Sequence, residues 1–91
     1  MEAKLVFIDI ETGGLNPTRH PIIQLAAVAT DARLNELELL EIKIQFPEQN
    51  ATRASLRKNH YTRNRWACEA VAPHDAARTL VAFFRRPAPL F

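Results

Sequence analysis

Two nearly unbroken apolar runs near the start of the chain constrain its fold more than any other feature. In Lys4 to Ile10, the residues Leu5, Val6, Phe7, Ile8 and Ile10 are apolar on both alternating faces, a pattern that a chain satisfies when it lies as a central strand covered on both sides. A turn follows at Gly13, Gly14, Asn16 and Pro17, and then Ile22 to Thr30 forms a second apolar run. Its isoleucines and valine favour a buried strand, although its alanines also permit a helix. After a polar stretch with the turn former Asn35, Leu40, Ile42, Ile44 and Phe46 alternate with Glu41, Lys43 and Gln45. This period of two predicts a half-exposed strand at a sheet edge.

Pro47 ends the strand-like region, and the residues up to about Ala67 are rich in Arg, Asn and Thr without clear periodicity, as in a long loop or a set of short helices. From Pro73 the pattern turns helical, with Ala76, Ala77, Leu80, Val81 and Phe84 on one stripe. Pro73 suits the first turn, Asp75 meets the positive end of the helix dipole, Arg85 and Arg86 complement the negative end, and Pro87 is the expected stop. The element order is therefore strand, strand, strand, helix. With 91 residues the chain holds one domain at most, and its 47% apolar and 24% charged content excludes a disordered tail. The single cysteine, Cys68, excludes an intrachain disulfide and a zinc site built on cysteine pairs; it reads as a small apolar residue. Only a few apolar residues precede Asp9, far short of the roughly 20 that span a bilayer, so the expected setting is cytoplasmic with no membrane.

The charge is unevenly spread. Residues 1 to 48 carry 4 basic and 8 acidic side chains, while residues 49 to 91 carry 8 basic and 2 acidic ones. Such a division suits a polyanion held by one half and a cation by the other. Asp9 and Glu11, two apart on a strand, project to one face, with Ile8 and Ile10 on the other. Two carboxylates in so apolar a strand carry a large desolvation penalty, which a divalent cation with a preference for hard oxygen ligands offsets. Magnesium or manganese fits this chemistry.

The segment Phe7-Ile-Asp-Ile-Glu-Thr-Gly-Gly-Leu15, followed by Pro21-Ile-Ile-Gln-Leu-Ala-Ala-Val28, resembles the first motif of the DEDD (DEDDh/DEDDy) superfamily of 3′-to-5′ exonucleases, which includes polymerase proofreading domains and RNA-trimming enzymes. The resemblance implies an α/β ribonuclease H-like fold, of which residues 1–91 would be the N-terminal part: a three-stranded sheet followed by a helix. It implies that Asp9 and Glu11 are catalytic and hold Mg2+ or Mn2+, two ions in a complete member. The substrate would be the 3′ end of single-stranded DNA or RNA. Thr12, Gly13, Gly14 and Leu15 would touch the terminal nucleotide, with Leu15 as an apolar wedge against its base. Read on their own, Gly13 and Gly14 fit a plain turn equally well, and Leu15 a core residue.

The chain departs from the superfamily pattern in lacking the later acidic motifs. Asp31 and Asp75 lack the surrounding residues of those motifs, and neither His20, His60 nor His74 has an aspartate four or five residues on. Gln24 stands where a carboxylate is commoner. The expectation is a truncated domain, inactive alone, whose open first strand pairs with a second copy in a homodimer or with a missing C-terminal part. The segment Arg57 to Trp66 interleaves cations with His60, Tyr61 and Trp66. Either it binds single-stranded nucleic acid by stacking, or its aromatics anchor the segment to the core. The alternative to an exonuclease is a non-catalytic module that binds nucleic acid or protein.

Overall fold

The computed structural model of the chain describes residues 4–86. Its elements are β1 (Leu5–Thr12), β2 (Ile22–Thr30), β3 (Glu36–Lys43), a 3-10 turn at Glu48–Asn50, α1 (Arg53–Lys58), α2 (Arg63–Glu69) and α3 (Pro73–Arg85). The strands form one antiparallel sheet in the order β1-β2-β3. β1, whose apolar pattern is that of a central strand, is an edge among the described residues, with one side open as expected for the N-terminal part of the fold. Both strand connections are short, and short connections make antiparallel neighbours, so β2 alone has a partner on each side. The two-sided apolar pattern of β1 thus exceeds the burial it receives: Phe7, Ile8 and Ile10 are 52%, 46% and 44% exposed.

β3 lies at the other edge, as expected, but begins at Glu36 rather than near Leu40. The hairpin turn accounts for the early start. Asp31 Oδ1 accepts from the backbone N–H groups of Arg33 and Asn35, its Oδ2 accepts from Asn35 Nδ2, and Leu34 takes a left-handed φ of 68°. The chain therefore reverses within a few residues, and pairing resumes at Thr30 with Glu36. On the far side of β3, Ile44 makes a single parallel bridge to Val71.

Cross-strand partners share a face, which puts Val6, Ile8 and Ile10 on the same side as Ala29, Ala27 and Leu25. Helix α3 packs on this side. Ala76 joins Leu25, Ile42 and Ile44 in one cluster, and Phe83 joins Ala27 and Ala29 in another, with Leu40 and Leu80 bridging the two. The inward stripe is thus Ala76, Leu80 and Phe83: Ala76 and Leu80 face the sheet as expected, but Phe83 is buried in place of Phe84, and Ala77, Val81 and Phe84 turn outward, with Val81 and Phe84 46% and 45% exposed. Inner and outer positions are both apolar, and the sheet selects among them by size. The small Ala76 lets the helix approach Leu25 and Ile44, while the Phe83 ring fills the space left above two alanines. Burial of that ring contributes about 1.5–3 kcal/mol. Pro73 and Asp75 sit in the first turn as expected, whereas Pro87 lies outside the described residues. Arg86 does more than face the helix end, since its Nη1 donates to Glu38.

The stretch after Pro47 forms two short helices. Thr52 caps α1 by accepting from Ser55 N–H, and Thr62 caps α2 by accepting from Arg65 N–H. Trp66 is 5% exposed and donates from Nε1 to the Ile23 carbonyl at 3.1 Å. Tyr61 lies between Phe46 and Trp66, with ring centroids 5.4 and 5.0 Å away. These aromatics anchor the segment to the core, and Trp66 has no face free for a base.

Candidate active site

Asp9 and Glu11 lie near the end of β1 on the sheet face opposite α3. Asp9 is exposed and Glu11 half-buried. Across the sheet, Ala26 stands opposite Asp9 and Gln24 opposite Glu11, with Lys43 next in the same row. Lys43 does not neutralise the acids, because its Nζ is bound to Glu69 at 2.8 Å and lies 5.6 Å over the Trp66 ring. Among the described residues, neither carboxylate has an ion-pair or side-chain hydrogen-bond partner. The pairing register slips between Glu11 and Thr12, leaving Ile23 as an extra residue on β2. An extra residue of this kind breaks the regular ladder and increases the local twist just past the acids.

The turn that follows is fixed by several distant groups. Gly13 N–H donates to the Pro21 carbonyl at 2.8 Å, and Thr52 N–H donates to the Gly13 carbonyl at 2.7 Å. Thr12 Oγ1 donates to the Gly14 carbonyl, and Asn59 Nδ2 donates to the Thr12 carbonyl. Both glycines are needed for close approach. A Cβ on Gly13 would sit 2.7 Å from Ala51 Cβ, and one on Gly14 would run into the His20 ring, with Cε1 at 2.6 Å. That ring is itself held, since His20 Nδ1 accepts from Asn16 N–H at 3.0 Å. The Gly13 N–H is already engaged, so any ligand contact at Gly13 would use its lack of a side chain rather than its donor. Leu15 is 99% exposed, which excludes the reading of it as a core residue and leaves an apolar side chain standing in solvent beside the acids' turn.

The structure therefore brings Asp9 and Glu11 onto one face and places Thr12 to Leu15 directly after them. The remaining acids and histidines lie elsewhere. Asp31 closes the β2–β3 hairpin, and the Asn35 side chain and the neighbouring backbone donors hold its carboxyl below the ordinary value. Asp75 is on α3, against the opposite face. His60 follows α1 with a left-handed φ of 55°, and His74 lies in the first turn of α3. Among the described residues no group of three or more His, Cys, Asp or Glu is placed to hold a metal ion. Cys68 is exposed rather than packed.

Ala51, Thr52 and Asn59, which brace the turn, carry no signal in the sequence. They meet it across as many as 47 positions, and nothing in their local pattern marks the contact. Nearby, Arg63 forms a two-pronged pair with Glu48, Nη2 lying 2.8 Å from Oε2. That guanidinium, together with the Tyr61 hydroxyl, holds the Glu48 carboxyl below its ordinary value.

The family model described as RNase_T, exonuclease, matches residues 6–86. Over 49 residues the chain is 43% identical to the oligoribonuclease of Aliivibrio fischeri, covering 53% of this chain and 27% of that protein. Over 37 residues it is 49% identical to the oligoribonuclease of Photorhabdus laumondii, covering 41% of this chain and 20% of that one. E. coli exonuclease I, solved in complex with a dT13 oligonucleotide, superposes with a TM-score of 0.79 at 20% identity, over 93% of this chain and 19% of that chain. An ExoI/SSB-Ct complex gives 0.79 at 18% identity, over 96% of this chain and 19% of that chain. These matches thus take in about a quarter or less of each relative's length. The structural likeness carries the fold and the sequence match the kinship: this chain belongs to the exonuclease family, within the DEDD superfamily and its ribonuclease H-like fold.

Proposed function

We propose that Asp9 and Glu11 are metal-binding catalytic residues of a 3′-to-5′ exonuclease acting on single-stranded DNA or RNA. The observation that carries this is the pair itself: two hard-oxygen donors on one sheet face, at the end of a strand where the pairing register slips, with no protein cation among the described residues to neutralise them. Their chemistry fits Mg2+ or Mn2+. Such ions, two in a complete member, lower the pKa of an attacking water and neutralise a leaving 3′ oxygen. The protein's own part is positional. Asp9 and Glu11 fix where the charge sits, Thr12 to Gly14 form a braced turn beside it, and Leu15 presents an apolar surface to a terminal base without reading its identity. The E. coli exonuclease I structures with dA13 and dT13 oligonucleotides support a single-stranded ligand for this fold.

A full set of four acids would draw on polypeptide beyond these 91 residues or on a second copy meeting the open edge of β1. The chain alone therefore turns over far more slowly than a complete member. A non-catalytic binding module is the second reading, favoured by the fact that only two acids meet among the described residues. The test is nucleotide release from a 5′-labelled oligonucleotide in Mn2+, beside Mn2+ binding followed by electron paramagnetic resonance. Mn2+ binding that is lost in Asp9→Ala, with slow stepwise shortening from the 3′ end that is lost with it, is the expected result. Mn2+ binding without shortening favours the module, and unchanged Mn2+ binding in Asp9→Ala overturns the assignment.

A further inference from the structure

We infer that the outer face of α1 is a cationic track, built from Arg53, Arg57 and Lys58, that holds the phosphodiester backbone of a single strand leading to the Asp9–Glu11 face; this rests on the nuclease reading above. The placement comes from the turn contacts. Ala51 packs against Gly13, Thr52 N–H donates to the Gly13 carbonyl at 2.7 Å, and Asn59 Nδ2 reaches the Thr12 carbonyl at 3.2 Å. Both ends of α1 are thus tied to the residues directly after Glu11. Ser55, Leu56 and Asn59 turn inward and are half-buried, while Arg53, Arg57 and Lys58 are exposed.

The cations of this half of the molecule divide into two groups. Arg63 is bound to Glu48, and Arg65 and Lys43 share Glu69. Arg53, Arg57 and Lys58 have no acidic partner among the described residues, and the sequence holds no acid at all between Glu48 and Glu69. An unneutralised cationic face beside an unneutralised acidic pair suits a polyanion whose backbone is gripped on one side and whose end meets metal-bound carboxylates on the other. Arg53 and Arg57, four apart on a helix, lie about 5–6 Å from each other at Cβ, so they can serve neighbouring phosphates. Since Trp66 is buried, base stacking there adds nothing, and the grip is electrostatic and blind to sequence.

Fluorescence anisotropy of labelled dT12 and U12, in EDTA and over a range of salt concentrations, tests the track. Each phosphate contact to a single strand contributes a slope of about 0.7 in log affinity against log salt. R53Q/R57Q/K58Q should therefore lower the slope by about 2 on both oligonucleotides. R78Q/R85Q, which removes two exposed cations from α3, should leave the slope unchanged. The substituted side chains of α1 are exposed, and a circular dichroism melt checks that the variant folds. An unchanged slope in the α1 variant, an equal loss in the α3 variant, a loss on only one oligonucleotide, or no salt-dependent binding by the native chain overturns the track. The measurement needs no metal and no cleavage, so Mn2+ binding that persists in Asp9→Ala would end the nuclease reading while leaving a slope loss here to stand as a binding surface.

Discussion

Substituting Gly14 by alanine separates a glycine kept for packing from one kept for a ligand. The three atoms nearest an added Cβ all belong to the His20 ring, with Cε1 at 2.6 Å, closer than a methyl carbon can approach. The ring must leave its place. Overpacking of this kind costs about 1–3 kcal/mol, and moving the ring breaks the bond from Asn16 N–H to His20 Nδ1, worth about 0.5–1.5 kcal/mol. Gly14→Ala should therefore destabilise the chain by about 2–4 kcal/mol. At about 4–8 °C per kcal/mol for a chain of this size, Tm falls by at least about 8 °C. The backbone contributes no strain, since no glycine in the described residues has a positive φ.

The three nearest atoms belong to one ring, so a double-mutant cycle isolates their share of the clash. His20→Ala alone loses only the hydrogen bond and some contact, about 1 kcal/mol. Once the ring is gone, the added methyl loses its three nearest contacts, and Gly14→Ala/His20→Ala should be no less stable than His20→Ala within about 0.5 kcal/mol. Urea denaturation, followed by the fluorescence of the single tryptophan and by circular dichroism, measures all four corners. If the two losses simply add, the packing argument is wrong and Gly14 serves something other than the approach of His20.

Two other consequences are open to measurement. His60 takes a left-handed φ of 55° at the end of α1, where its N–H bonds to the Arg57 carbonyl and Tyr61 N–H to the Leu56 carbonyl. His60→Gly relieves strain of about 1–2 kcal/mol against a glycine entropy cost of about 0.5–1 kcal/mol, so the midpoint of urea denaturation should rise, whereas His60→Ala should not raise it. Asp31 and Glu48 both have carboxyls held below their ordinary values, Asp31 first by the Asn35 side chain and Glu48 first by Arg63. A depressed folded-state pKa gives stability that is complete above the unfolded values of 3.8 and 4.5 and is lost as pH falls through the folded ones. The stability these two carboxylates contribute should be complete from pH 7 to 5 and be lost below about pH 4, so the drop in denaturation midpoint below about pH 4 should be shallower in Asp31→Asn.

The distinction between the edges of the sheet shows how local pattern and global arrangement divide the information. An alternation of apolar and polar residues is written in each segment, because side chains on a strand reverse direction at every residue and those on a helix return every three or four. That suffices for three strands and a closing helix, for Asp9 and Glu11 on one face, and for the motif by which the chain joins its superfamily. It does not suffice to say what lies beside a strand. β1 has the two-sided apolar pattern of a central strand and nonetheless forms an edge here, because among the described residues only β2 pairs with it.

Only the tertiary structure decided which apolar stripe of α3 faces the sheet, since Ala77, Val81 and Phe84 satisfy the helical period as well as Ala76, Leu80 and Phe83 do. The choice depends on volumes across the interface, on Ala27 and Ala29 leaving room that Phe83 fills. Likewise, Trp66 and Tyr61 read equally as ligand platform or anchor until the Ile23 carbonyl and the Phe46 ring were seen to claim them. The brace on the turn after Glu11, from Thr52 and Asn59, follows from where a distant helix happens to land. Periodicity is a property of a few neighbouring residues, whereas packing selects among equally periodic solutions by shape, and shape exists only once remote segments have met.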